Sequence, residues 1–347
     1  MTTHRERIRA CLNGEKTDRT PIALWRHFPV DDQDPGLLAA STLHFQNTYD
    51  FDIVKVTPAS SFAVKDWGVE DQWTGDAEGS RRYTKRIIHE PGDWEKLKML
   101  DPSSPHLAGQ LACLRLIRGD LDPETPVIQT IFSPLSQAKN LAGNDLMLKH
   151  IREFPEALMK GLEVIARTTA RFVESVCETG VDGIFYAVQH AQADLLSLDE
   201  YKTFGLPGDR TALEPANDLW CNMLHLHGRE VYFSLLPFYN FQIVNWHDRE
   251  TSPTLAEAGG LFSGVLCGGL RQDTLVLEDQ AKVREEAADA IEQTKGRRFI
   301  LGTGCVVPIT ASHGNLVAAR KSVQPPRPSG RLDRRGGGAG CNEIHLV

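Results

Sequence analysis

Three short phrases of the chain carry residue types able to hold a metal ion or move a proton. His225-Leu226-His227 lies inside the apolar run 222–228. In a strand, residues i and i+2 share a face, so both imidazoles would point the same way. Imidazole ligates metals and titrates near neutrality, so the pair suits metal binding or acid–base work. Two histidines satisfied by hydrogen bonds in a core or at a surface explain the same pattern. The next apolar run closes on Asn245-Trp246-His247-Asp248-Arg249. Asn245 and His247 share a face there, and His247, with Asp248 beside it, suits a general acid or base or a further metal ligand. A His–Asp–Arg network that only stiffens the chain fits equally well. The third phrase, Trp25-Arg26-His27, offers a guanidinium whose fork can grip a substrate carboxylate. An ion pair of Arg26 with Asp31 or Asp32 is the alternative.

Lys55 and Thr57 alternate onto one face of FDIVKVTP. Lysine is an unnatural filler for a barrel interior, so this face is expected to line a site. Gln189 and His190 close another apolar run and are candidates for substrate contact, or for capping the loop that follows. Cys267, followed by two glycines, and Cys305 each read first as buried small hydrophobes.

These residues sit at the ends of regularly recurring elements. Eight β-rich runs appear at 21–27, 51–58, 126–134, 181–189, 222–228, 241–249, 261–270 and 297–305, and segments with helical spacing such as 155–179, 198–219 and 277–295 separate them. Alternation of this kind, eight times over, is the pattern of a closed (β/α)8 TIM barrel, whose chemistry gathers at the carboxyl ends of its strands. Residues 63–89 interrupt the alternation and read as a β-hairpin after the second strand that helps cover the site. The expected domain is 1–323. The Pro-, Arg- and Gly-rich residues 324–347 read as a disordered tail, because such a composition buries too little apolar surface to offset ordering entropy.

The chain has 347 residues, a net charge of −8 and 41% hydrophobic residues. That is ample material for one large core, and the acidic balance argues against nucleic acid or an anionic membrane as partner. The amino-terminal residues lack the apolar core of a secretory signal, no run is long enough to span a bilayer, and seven scattered cysteines do not form a disulfide framework. A cytoplasmic protein acting on a small molecule is expected, with a homodimer left open.

The phrases TPIALWRHFP, YDFDIVKVTPASSFAVKDWG, GVDGIFYAVQHAQADLLSLDEYKTFGLPGDR and RRFILGTGCVVPITASHGN together resemble the uroporphyrinogen decarboxylase superfamily over residues 5–323. That superfamily holds tetrapyrrole decarboxylases and cobamide-dependent methyltransferases. A decarboxylase of this kind would bring an Arg-containing loop after strand 1, an Asp ending strand 2 and a His ending strand 8. Here the first loop holds one arginine and three aspartates in 26–34, strand 2 ends Lys55-Val56-Thr57, and strand 8 ends Gly304-Cys305. The methyltransferase branch has a zinc site of the form His-x-Cys on strand 5 with a second Cys ending strand 8. The resemblance therefore assigns zinc to His225, His227 and Cys305, with His in place of one Cys and an open fourth position. Two imidazoles and one thiolate leave zinc with one net positive charge. On this reading zinc activates a thiol or hydroxyl group for methyl transfer, Arg26, Gln189 and His247 orient the acceptor, and the donor is a methylated corrinoid carried by a partner protein. A tetrapyrrole carboxy-lyase and a non-catalytic binding barrel are the competing readings.

Overall fold

The computed structural model describes residues 2–324. Strand β1 (Val54–Val56) is followed by a two-stranded hairpin, β2 (Glu70–Trp73) and β3 (Arg81–Lys85). Six more strands follow: β4 (Val127–Phe132), β5 (Gly183–Val188), β6 (Met223–Leu226), β7 (Ile243–Trp246), β8 (Val265–Leu270) and β9 (Phe299–Thr303). Apart from the hairpin they form one parallel sheet in the order β1-β4-β5-β6-β7-β8-β9. The sheet curls into a TIM-barrel-like α/β fold whose helices cover its outer face, and every residue of these seven strands is buried. Burial on both faces is why the strands read as nearly continuous apolar runs rather than alternating ones.

The first expected strand, 21–27, is reduced to a single parallel bridge from Ile22 to Leu301 of β9. On its other side the Ile22 carbonyl accepts the Asp52 amide, while the Ile22 N–H donates to the Asp52 carboxylate at 2.8 Å. A side chain thus takes a hydrogen bond that a ladder would otherwise make, and the segment still spans the seam between β9 and β1. Asp52 is fully buried and also receives His4, Arg7 and Arg19, so this end of the barrel is tied by an ionic knot.

The helices follow local signals. Pro155–Cys177 starts on a proline and turns Leu158, Leu162, Ile165, Phe172 and Val176 inward. The expected helix over 198–219 is broken into Leu198–Phe204 and Leu206–Leu213 at Gly205, where a Cβ would stand 2.7 Å from the Tyr201 ring. Asp279 caps Gln280–Thr294 through two backbone amides, which sets that helix's start three residues later than expected. The hairpin folds over the carboxyl-end rim, where the Ile309 amide donates to the Ala77 carbonyl at 2.7 Å and Gln272 donates to Glu78 at 3.0 Å. No helix among the described residues is long and apolar enough to cross a membrane. The expected tail lies, apart from Gln324, outside the described residues.

Candidate metal centre

The strand periodicity delivers the first two histidines. β6 stops at Leu226, yet the His227 amide still donates to the Val188 carbonyl at 2.9 Å, so the extended course persists and His225 and His227 share a side. Their facing ring nitrogens, His225 Nε2 and His227 Nδ1, are 3.4 Å apart. His247, the residue after β7, brings Nε2 to 3.5 Å from the same His227 Nδ1. Cys305 follows β9 and places Sγ 3.9 Å from it. Gly304 makes that approach feasible, because a Cβ there would stand 2.7 Å from the His247 Cα and 3.1 Å from the Trp246 carbonyl oxygen.

The protonation of His225 follows from its neighbour. Asn245 donates from Nδ2 to the carbonyls of Cys267 and Thr303, each at 2.9 Å, and carbonyls can only accept. Its Oδ1 therefore faces His225 Nδ1 at 2.7 Å, that nitrogen carries the proton, and the Nε2 lone pair points into the cluster. Burial, reinforced by the neighbouring histidines, pushes His225 well below the usual imidazole range and His227 down to about 3. Burial also lowers His247, against the pull of Glu250, and raises the Cys305 thiol to about 11, with Glu78 adding to the rise. The protein has assembled neutral imidazoles and a thiol around one point.

Four such donors cannot all be satisfied by hydrogen bonds to one nitrogen. Their ligand atoms lie within 4.8 Å of one another. A tetrahedral zinc with bonds of about 2.0–2.3 Å requires donor separations of roughly 3.3–3.8 Å, and the three from His227 Nδ1, at 3.4, 3.5 and 3.9 Å, are close to that. A set of three imidazole nitrogens and one sulfur fits zinc, and Asn245 would supply the outer hydrogen bond that fixes the tautomer of a histidine ligand. His247 would then stand at the fourth position.

Beside the cluster lies a cavity of about 290 Å³. His27, Lys55, Thr57, Gln189, His225, His227 and Cys305 line it. His190 does not: it is buried, with Nε2 3.3 Å from Asn144 Oδ1. Asn245 stands behind His225 rather than in the cavity. Arg26 is also absent from the lining. Trp25 and His27 take the inward face, and the guanidinium between them rests near the rings of Phe28 and Phe45. It pairs with neither aspartate: Asp31 accepts from Ser41 and Asp32 from Arg81. Asp248 is likewise turned away, accepting the Gly269 amide at 3.1 Å, and burial raises its pKa to about 7. With Arg249 bound to the Gly269 carbonyl, that pair stiffens the rim rather than serving the cavity.

Other lining residues come from places that carry no strand periodicity. The hairpin supplies Glu78, Ser80, Arg81 and Tyr83, and the helix Pro134–Ala142 supplies Lys139 and Asn140. Lys139 donates to Gln189 Oε1 at 2.8 Å, and burial, with Arg86 nearby, lowers its pKa to about 8. Cys267 is buried in β8 and takes no part in the cluster.

Three histidines and a cysteine thus converge at the carboxyl-end rim of a parallel barrel, where they could hold a metal ion. The uroporphyrinogen decarboxylase (URO-D) model matches residues 3–324, and the chain belongs to that family. Among solved structures it is similar to a methyltransferase from Methanosarcina mazei, with TM-score 0.80 and 18% identity over 93% of this chain and 98% of that one. A B12-independent methionine synthase from a Shewanella species in complex with selenomethionine aligns with TM-score 0.57 and 14% identity over 88% of this chain and 92% of that one. A vitamin-B12-independent methionine synthase assigned in Listeria monocytogenes gives 0.54 and 9%, over 87% and 94%. At these identities the likeness is one of fold. No curated protein matches the chain by sequence.

Proposed function

We propose that the protein is a zinc-dependent methyltransferase-like enzyme that transfers a methyl group to a small thiol, with a corrinoid on a partner protein as donor. The observation that carries this reading is the convergence of His225, His227, His247 and Cys305 beside a cavity at the strand ends. Bound zinc would supply Lewis acidity that makes a thiol nucleophilic near neutral pH. The chain's own groups do the rest. Asn245 holds the His225 lone pair toward the metal position. His247 lies on the loop after β7, with Nδ1 3.8 Å from Glu250 Oε1. Its Nε2 could take up the proton of a thiol entering the cavity, with Glu250 beside Nδ1 to stabilise the resulting imidazolium. The hairpin lines one side of the cavity through Glu78, Ser80, Arg81 and Tyr83.

Elemental analysis of purified protein tests the reading, with one zinc per chain as the expected result. Cys305→Ser and His227→Ala should lose affinity sharply and Cys267→Ser should retain it. Equal zinc retention in all three variants rules the site out.

A further inference from the structure

The methyl-transfer reading gives Lys55 no role. Its side chain lines the cavity and the residue is only 7% exposed, yet the amine meets no hydrogen-bond acceptor or carboxylate among the described residues. The other cations of the lining are committed: Arg81 is bound to Asp71 at 2.9 Å and Lys139 to Gln189 at 2.8 Å. Glu78, the one carboxylate of the lining, is taken by Gln272. Around Lys55 Nζ there are aromatic rings instead, Phe185 at 4.3 Å and Trp25 at 5.7 Å from their centroids.

Burial disfavours the charged form of an amine, and ring faces offset only part of that loss. Burial accordingly lowers the pKa of Lys55 to about 7, with Cys305 pulling the other way. An ammonium enclosed without a counter-charge gives way to an amine with a free lone pair, and the characteristic partner of such a lysine is a carbonyl carbon. The wall around it, with Trp25, Phe132 and Phe185, suits a partner that carries no charge of its own.

We propose that Lys55 is a nucleophile that forms an imine with a small uncharged aldehyde or ketone entering the cavity. The Nζ lone pair bonds to the carbonyl carbon while the carbonyl electron pair moves to oxygen. That oxygen takes up both amine protons and leaves as water, and the nitrogen closes the C=N bond. No metal, oxidant or further reactant enters the balance, so this activity stands apart from the methyl-transfer reading.

The test is competitive reductive alkylation of the full chain at neutral pH, with limiting propanal and sodium cyanoborohydride, on zinc-loaded and on chelator-stripped protein. Peptide mass spectrometry reads the labelling rate of each lysine. Lys55 should be alkylated at least about tenfold faster than the exposed Lys16 and Lys98 in both states, since an ordinary lysine is almost wholly protonated at that pH. The lead should vanish in urea, and an aldehyde-bearing dextran, too large for the cavity, should label Lys16 and Lys98 and spare Lys55. Lys55→Met, which removes an unpaired buried amine at similar volume, should melt no lower than the wild type and lose that one adduct. Labelling of Lys55 no faster than of Lys16 and Lys98 overturns the proposal. Faster labelling of Lys139, the hydrogen-bonded amine of the same cavity, overturns it too, as does a lead that persists in urea.

Discussion

Asn245 Oδ1 accepts the His225 Nδ1 proton at 2.7 Å, and the same amide donates to the carbonyls of Cys267 and Thr303. One side chain therefore ties β6 to β8 and β9 and sets which histidine nitrogen is free to ligate. Asn245→Ala should lower zinc affinity by about 10–100-fold while leaving all four donors in place. Competition against a chromophoric chelator reads the change, and an affinity equal to the wild type would remove Asn245 from this role.

Gly304 lies where a Cβ would press on the His247 Cα at 2.7 Å. Gly304→Val should push β9 away from β7, cost about 1–3 kcal/mol of stability and weaken zinc binding at least as much as His247→Ala does. Thermal melts and chelator competition on both variants check this. Unaltered zinc binding in Gly304→Val would show that the two strand ends need not approach so closely.

The ionic knot at the opposite end of the barrel makes stability depend on pH. Burial opposes the charge on Asp52, but hydrogen bonds from His4 and the charges of Arg19 and Arg7 hold it well below the usual carboxylate range. Its contribution is present above a pH of about 4 and lost as pH falls through the folded value. Burial likewise opposes the charge on His4, but Asp50 and Asp52 raise its pKa to about 9. That contribution is full below a pH of about 6.5 and declines as pH rises through 9. Melting temperature should therefore fall between pH 6.5 and 9 in the wild type and fall less in His4→Gln. Parallel profiles for the two proteins would contradict the linkage. Asp52→Asn, which leaves Arg7 and Arg19 without their shared counter-charge, should cost about 3–5 kcal/mol.

Pure protein should form no coproporphyrinogen from uroporphyrinogen. Lys55 occupies the strand end where the resemblance to decarboxylases expects an acid, and Arg26 faces away from the cavity. Appearance of the decarboxylated product by fluorescence after oxidation would defeat this expectation.

The helix His313–Ser322 is capped by Ser312 and buries Leu316, Ala318 and Ala319, which completes the last β/α unit. A chain ending at Gln324 should melt within about one degree of the full chain and bind zinc equally. A drop of many degrees would show that the remaining residues matter to the fold.

His225, His227 and Cys305 were readable because a strand's two-residue period dictates a face, and the resemblance put the strand ends at one rim. His247 was left between ligand and acid–base roles, since nothing local says how far β7 and β9 approach each other. The same alternation that points Trp25 and His27 inward points Arg26 outward, which its charge alone does not register. Arg81, Glu78 and Lys139 had no such guide. They lie on an inserted hairpin and on a helix, and no local period relates either to the barrel mouth. The first strand fell short because the Asp52 side chain took a ladder hydrogen bond, a substitution that patterning cannot register.

The cavity is assembled from two stretches of chain that do different work. All four candidate metal donors fall between His225 and Cys305, whereas the hairpin, Lys55, Arg81 and Lys139 come from the first half. Selection can therefore rework what the cavity accepts without disturbing the candidate donors. A relative that shares the later stretch but differs in the earlier one would keep its chemistry and change its diet, and recombining halves between such relatives is a practical way to move one without the other.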